Sequence, residues 1–159
     1  ETFGLRRAAQ RAIFYVQREL ERSSEGERPT IVLCDRGTVD GGAYWPGPGD
    51  FFADVGTTLD EQLARYDAVI HLRTPSLADG YNRANPLRIE SAEEAEAIDH
   101  RISKLWAGHP KLSTIQSSES FLTKATEALE RLRAELPECC RVHRIADVER
   151  VGRREEELA

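Results

Sequence analysis

Apolar residues recur at helical spacing in three segments of the chain. The first runs from Thr2 to about Glu21, the second from Ala92 to Trp106 or Ala107, and the third from Phe121 to Leu136. Spacings of three and four residues place such side chains along one face of an α-helix. We therefore expect three amphipathic helices, each packed against the rest of the protein through that face.

Short apolar runs between these segments predict β-strands. The runs cover residues 31–35, 67–72 and 111–116, and residues 141–145 form a further candidate for an edge strand. Strands that alternate with helices are typical of an α/β fold with right-handed crossovers. The pattern predicts three layers around a mainly parallel sheet, in which ligands bind at the carboxyl ends of the strands.

The connecting segments contain recognisable turn and cap signals. Residues 23–29 form a polar linker, and residues 37–49 are so rich in glycine and proline that we expect no regular structure there. The segments Thr58–Glu61 and Ser91–Glu94 have the spacing of helix capping boxes, the first opening a short helix to about Tyr66. Residues 76–89 show little apolar periodicity, and we interpret them as a lid.

Composition limits the classes of function. The 159 residues, 40% of them hydrophobic, suffice for one domain over residues 1–148, followed by a charged tail over residues 149–159. A net charge of -6 gives no basic surface, so we expect no nucleic-acid partner. No apolar run approaches the roughly 18 residues of a membrane span, which favours a cytoplasmic protein with reduced cysteines.

The most distinctive candidate site is the Asp35-Arg36-Gly37 sequence that ends the first apolar run. A carboxylate such as Asp35 can hold Mg²⁺ while substrate phosphates complete the coordination shell. A guanidinium such as Arg36 can bind phosphate oxygens with two parallel hydrogen bonds. The alternative is that both side chains only cap the strand and pair with each other or with helix ends.

Other polar residues near this segment are candidates for contacts to substrate. Asp40 and Tyr44 could bind an acceptor substrate through a carboxylate and an aromatic face, although plain packing within the loop explains them equally well. Arg73, Arg83 and Arg88 surround the expected lid, where positive charge could stabilise a phosphoryl group during transfer. The four histidines show no metal-ligand spacing, and we interpret them as structural.

Several of these residues together resemble a known family. They are Ala12-Ile13-Phe14-Tyr15-Val16-Gln17, Cys34-Asp35-Arg36-Gly37 with Asp40, Ala43-Tyr44-Trp45, and Arg88-Ile89-Glu90 before Asp99. The set resembles P-loop ATP/GTP-binding proteins of the kinase-like AAA-type ATPases, related in architecture to thymidylate and nicotinamide-riboside kinases. The resemblance covers about Phe3 to Leu136. It implies that the Asp-Arg pair serves Mg²⁺ and substrate, and that the lid arginines Arg83 and Arg88 approach the phosphates of ATP or GTP.

One feature of that family is not found in these residues. The sequence has no G-x-x-x-x-G-K-[ST] loop, whose backbone amides and lysine cradle nucleotide phosphates. The resemblance therefore implies a P-loop NTPase-like fold that is incomplete at its N-terminus, without the first β-α-β part. Three hypotheses follow: a small-molecule kinase or nucleoside-triphosphatase, a regulatory module that responds to nucleotide, and a fragment without catalytic activity.

Overall fold

A computed structural model describes residues 2–26, 31–74, 91–116 and 121–138 of the chain. In chain order, its elements are α1 (Phe3–Gly26), a 3₁₀ helix (Thr38–Tyr44), α2 (Phe51–Asp54), α3 (Leu59–Leu63), β1 (Val69–Leu72), α4 (Ala92–Trp106), β2 (Leu112–Ile115) and α5 (Phe121–Glu135). None of these helices is both long enough and apolar enough to cross a membrane.

The sheet of the described residues consists of β1 and β2. The two strands are parallel, and Val69 lies opposite Leu112 while Leu72 lies opposite Ile115. Both strands were predicted, and α4 provides the helical connection that a parallel pair requires. A three-layer sheet is not present in this part of the protein, since the described sheet has two strands.

The prediction of a paired β-strand over residues 31–35 is wrong. Residues 31–34 have no regular secondary structure, and the side chains of Ile31, Val32 and Leu33 are all exposed. A strand requires a neighbour that satisfies its backbone amides and carbonyls, and no described segment supplies one. The candidate edge strand over 141–145 and the tail over 149–159 lie outside the described residues.

Helix α1 differs from its prediction in length and in its buried face. It continues to Gly26 through the serines of the predicted linker, where the Ser24 hydroxyl donates to the backbone oxygen of Leu20. Phe14 and Glu21 are its buried residues, whereas Ile13, Val16 and Leu20 of the predicted apolar stripe are exposed. The direction of packing is set by the tertiary contacts of Phe14, which periodicity does not reveal.

The glycine-rich segment contains regular structure that we did not predict. Residues Thr38–Tyr44 form a 3₁₀ helix whose Val39 side chain is completely buried, and α2 follows it at Phe51. These two elements contribute to the hydrophobic core, which comprises Phe14, Val39, Phe51, Phe52, Val55, Leu63 and Trp106. Burial of Val39 and the two phenylalanines therefore outweighs the low helical propensity of the glycines.

Both predicted capping boxes are confirmed. The Thr58 and Ser91 hydroxyls accept from the backbone amides of Glu61 and Glu94, and each glutamate accepts from the amide of its capping residue. These bonds satisfy amides that have no partner within the helix and fix the starts of α3 and α4. Helix α4 then lies along the 3₁₀ helix and positions the candidate site.

Candidate functional site

The Asp35-Arg36-Gly37 sequence forms a strained bend at the end of the extended segment 31–34. Arg36 has a φ of 93°, a conformation that costs a non-glycine residue roughly 1–3 kcal/mol. The backbone oxygen of Arg36 accepts a hydrogen bond from Nε2 of Gln17 on α1 at 2.5 Å. The surrounding structure therefore holds Arg36 in a conformation that its own backbone disfavours, as is common at functional sites.

The Arg36 guanidinium contacts the two other residues predicted for this site. Its Nη1 donates to the Tyr44 hydroxyl at 3.0 Å and lies 3.9 Å from Oδ2 of Asp40. Its central carbon lies 5.7 Å from the centre of the Tyr44 ring. Burial disfavours the charge, but Tyr44 and Asp40 outweigh this effect and raise the pKa of Arg36. The cation is therefore held in place while its side chain remains 56% exposed.

Asp40 is the most enclosed carboxylate of this site. Its side chain is 13% exposed, and Oδ1 accepts a hydrogen bond from Nε1 of Trp106 at 2.6 Å. Burial raises the pKa of Asp40, although the bond from Trp106 and the charge of Arg36 oppose that shift. A carboxyl group whose pKa is raised by burial can exchange a proton nearer to neutral pH than a solvated aspartate.

Gly37 allows the Trp106 indole to pack directly against this bend. A β-carbon at position 37 would lie 2.3 Å from Cζ2 of Trp106, which is far inside van der Waals contact. Trp106 is 4% exposed and also makes an edge contact with the Tyr66 ring. The glycine of the Asp-Arg-Gly sequence is thus required by close packing.

A polar network behind the bend fixes the start of the 3₁₀ helix. The Tyr66 hydroxyl receives a hydrogen bond from the Thr38 amide at 2.7 Å and donates to Oε1 of Glu21 at 2.9 Å. Glu21 also forms an ion pair with Arg65. Burial is the main cause that raises the pKa of Tyr66 to about 12. The network joins α1 to the turn after α3 and supports the residues that present Arg36.

A second polar cluster lies at the carboxyl end of β1. The buried carboxylate of Asp99, on α4, accepts from Nε of Arg73 at 2.5 Å and from the Thr74 amide at 2.9 Å. Nε2 of His71 lies 3.2 Å from the same carboxylate and donates to it, since a carboxylate can only accept. His71 is 8% exposed, and its Nδ1 atom is buried without a hydrogen-bond partner among the described residues.

The predicted site residues fall into three groups. Arg36, Asp40 and Tyr44 are brought together, whereas Asp35 is exposed and forms no hydrogen bond or ion pair with the described residues. Arg36 forms no ion pair with Asp35. It contacts Asp40 and Tyr44 of the 3₁₀ helix instead, which agrees with the part of the alternative interpretation that paired it with a neighbouring helix. Arg83 and Arg88 lie outside the described residues.

Sequence reasoning missed the residues that support this site. Trp106, Tyr66, Glu21 and Asp99 lie on other elements, and each was interpreted only as part of a helix or turn or was passed over. Glu21 and Asp99 carried a weak signal, since a charged residue on the apolar side of a helix needs a partner. No group of three or more histidine, cysteine or carboxylate side chains suitable for a metal occurs within the described ranges.

Comparison with known proteins identifies the family. Residues 5–124 match a protein family described as an AAA domain, and this match covers most of the chain, including the Asp-Arg-Gly bend and the Asp99 cluster. No curated protein and no solved structure matches the chain. The AAA domain indicates a P-loop NTPase type of fold with nucleotide binding as its general function. The chain belongs to the AAA domain family.

Proposed function

We propose that this AAA domain binds ATP or GTP together with Mg²⁺ and takes part in phosphoryl transfer to a small-molecule acceptor or to water. The observation that carries the proposal is Arg36, whose strained backbone and two side-chain contacts hold a cation beside an exposed carboxylate, Asp35. Phosphoryl transfer requires mainly positioning and charge stabilisation from the protein. An anchored guanidinium suits that task.

The residues present are compatible with Mg²⁺. Mg²⁺ keeps several water ligands and is commonly bound through one or two carboxylates plus substrate phosphates. Asp35 is exposed and is not engaged by a described side chain, so its oxygens are available to the ion or to its water ligands. When bound, the ion would neutralise charge on the phosphate oxygens. Asp35 would hold it, and Arg36 would bind a phosphate oxygen from the adjacent position.

Asp40 and Tyr44 complete the proposed site on the acceptor side. The half-buried carboxylate of Asp40 is oriented by Trp106, and its raised pKa suits a group that accepts a proton from an acceptor hydroxyl. Tyr44 presents its ring and hydroxyl beside Arg36. The roles that the family resemblance implies for Arg83 and Arg88 remain predictions from the sequence, as does a cytoplasmic location.

Calorimetric titration with ATP and with GTP, with and without Mg²⁺, tests this proposal. Because residues 1–159 contain no G-x-x-x-x-G-K-[ST] sequence, the titration uses both this chain and any longer product of the same gene. Asp35→Asn should reduce only the Mg²⁺-dependent part of the affinity, and Arg36→Ala should weaken binding about tenfold at either condition. Asp67→Asn, at an exposed aspartate, and Arg22→Ala, at an 80% exposed arginine, are the matched controls.

The outcomes separate the three hypotheses. Nucleotide hydrolysis or phosphoryl transfer that is lost in Arg36→Ala supports the kinase or nucleoside-triphosphatase. Binding without turnover supports a regulatory module that responds to nucleotide. If neither the chain nor a longer gene product binds either nucleotide, the proposal is overturned.

A further inference from the structure

The cluster around Asp99 has the composition of an anion-binding site. Asp99 is 4% exposed, and its two oxygens are occupied by His71, Arg73 and the Thr74 amide. Lys124, on α5, donates a hydrogen bond to the backbone oxygen of Arg73. At the carboxyl end of β1, Arg73 thus pairs with the carboxylate and Lys124 binds the backbone of Arg73, within a chain whose net charge is -6.

The contact with Asp99 orients the Arg73 guanidinium. A guanidinium is planar and rigid, so a bond from Nε to a buried carboxylate fixes the plane of the whole group. The donors on Nη1 and Nη2 make no hydrogen bond with the described residues and suit two oxygens of a phosphate. Arg73 keeps 30% of its side chain exposed, so a ligand can reach it.

The surroundings of Lys124 also favour the binding of an anion. Burial lowers the pKa of Lys124, and Asp99 is the carboxylate that opposes this shift. Asp99 already accepts three hydrogen bonds, so its charge is shared among several donors. An anion beside Arg73 and Lys124 would provide a further negative charge facing these two cations. The buried Nδ1 of His71 adds a polar atom that has no hydrogen-bond partner among the described residues.

We propose that Arg73 and Lys124 form a subsite for a phosphate group and that Asp99 is the positioning residue of Arg73. This inference rests on the proposed function, because it assigns the subsite to a phosphate of the nucleotide or of the acceptor. Carboxyl ends of parallel strands are the usual ligand edge of such sheets, and both cations lie at the end of β1.

Titration with sodium tripolyphosphate, ATP and glucose 6-phosphate tests the subsite. Arg73→Ala and Lys124→Gln should each weaken tripolyphosphate binding about tenfold, the usual effect of removing one charged hydrogen bond. Lys104→Gln, at an exposed lysine of α4, removes the same charge away from the cluster and should change the affinity less than twofold. A parallel loss for ATP assigns the subsite to the nucleotide, and a loss for glucose 6-phosphate assigns it to a phosphorylated acceptor.

Asp99→Asn distinguishes positioning from simple electrostatics. Removal of a negative charge beside an anion site should strengthen binding if Asp99 acted only through its charge. If Asp99 positions Arg73, the substitution should instead weaken tripolyphosphate binding several-fold. Circular dichroism and the unfolding midpoint of each variant establish that it is folded. Tighter binding by Asp99→Asn overturns the positioning role. If Asp99→Asn fails to fold, Lys124→Gln and Arg73→Ala still test the subsite.

Failure of the subsite and failure of the proposed function give different results. If the wild-type protein binds ATP but Arg73→Ala and Lys124→Gln bind tripolyphosphate with the same affinity as Lys104→Gln, the subsite is overturned while nucleotide binding stands. If tripolyphosphate binding depends on Arg73 and neither ATP nor GTP binds, the subsite stands and the nucleotide proposal is wrong. If the wild-type protein binds no phosphate compound at millimolar concentration, the subsite is overturned.

Discussion

The indole N–H of Trp106 donates to Oδ1 of Asp40 at 2.6 Å, and the same ring packs against the position where Gly37 lacks a side chain. One residue at the end of α4 thereby fixes both the backbone of the bend and the carboxylate that follows it. Trp106 is buried, so this arrangement is protected from competition by water.

Asp40→Asn should change how stability depends on pH. Burial raises the pKa of Asp40, so the folded state binds this proton more tightly than the unfolded chain. The resulting stability is fully present below the ordinary pKa of 3.8 and is lost as pH rises through the raised pKa. Wild-type protein should therefore lose stability relative to Asp40→Asn across this window, measured by urea unfolding at closely spaced pH values. Asp67→Asn, at an exposed position, is the matched control.

Gly37→Ala should destabilise the fold by about 1–3 kcal/mol, the usual cost of forcing extra volume into a packed interior. The added β-carbon would collide with the Trp106 ring at 2.3 Å. Gly4→Ala is the matched control, because its β-carbon would meet nothing within 4 Å and would favour helix α1. Urea unfolding should show changes of opposite sign in the free energy of unfolding for the two substitutions. Equal changes would contradict the packing role of Gly37.

Arg36→Gly and Arg36→Ala should separate backbone strain from side-chain function. Glycine adopts a φ of 93° without the penalty that alanine pays, so the glycine variant should be the more stable by about 1 kcal/mol. Both variants lack the guanidinium and should lose nucleotide affinity to the same extent. Thermal unfolding measures the difference in stability, and calorimetric titration measures the loss of nucleotide affinity. A glycine variant that retains affinity would show that Arg36 does not contact the ligand.

Tyr66→Phe should lower the free energy of unfolding by about 1–3 kcal/mol, because the Thr38 amide and Glu21 lose a buried partner. The pKa of Tyr66 is raised to about 12, so the folded state retains this proton where the unfolded chain releases it near the ordinary value of 10.0. Its contribution is fully present below 10.0 and is lost as pH rises through about 12. Absorbance at 295 nm should show that a tyrosine titration step near pH 12 is missing in Tyr66→Phe. An unchanged titration curve would argue against the network.

Local patterns along the chain account for much of the fold. The capping boxes at Thr58 and Ser91, the strands β1 and β2 and most of α4 and α5 follow from side-chain chemistry within a few residues. The predicted strand at 31–35 failed because strand formation depends on a neighbour distant in sequence. The 3₁₀ helix was missed because its glycines suggest a loop, whereas burial of Val39 decides its structure.

The sequence by itself determined that Asp35, Arg36, Asp40 and Tyr44 lie on one short segment, because chain connectivity keeps them within reach of one another. Only the tertiary structure decided which of these side chains are exposed and which partners they contact. It bonded Asp40 to Trp106, left Asp35 exposed and brought Asp99 from α4 to Arg73 at the end of β1. Those contacts join residues far apart along the chain, and their geometry depends on the packing of whole helices, which no local pattern specifies.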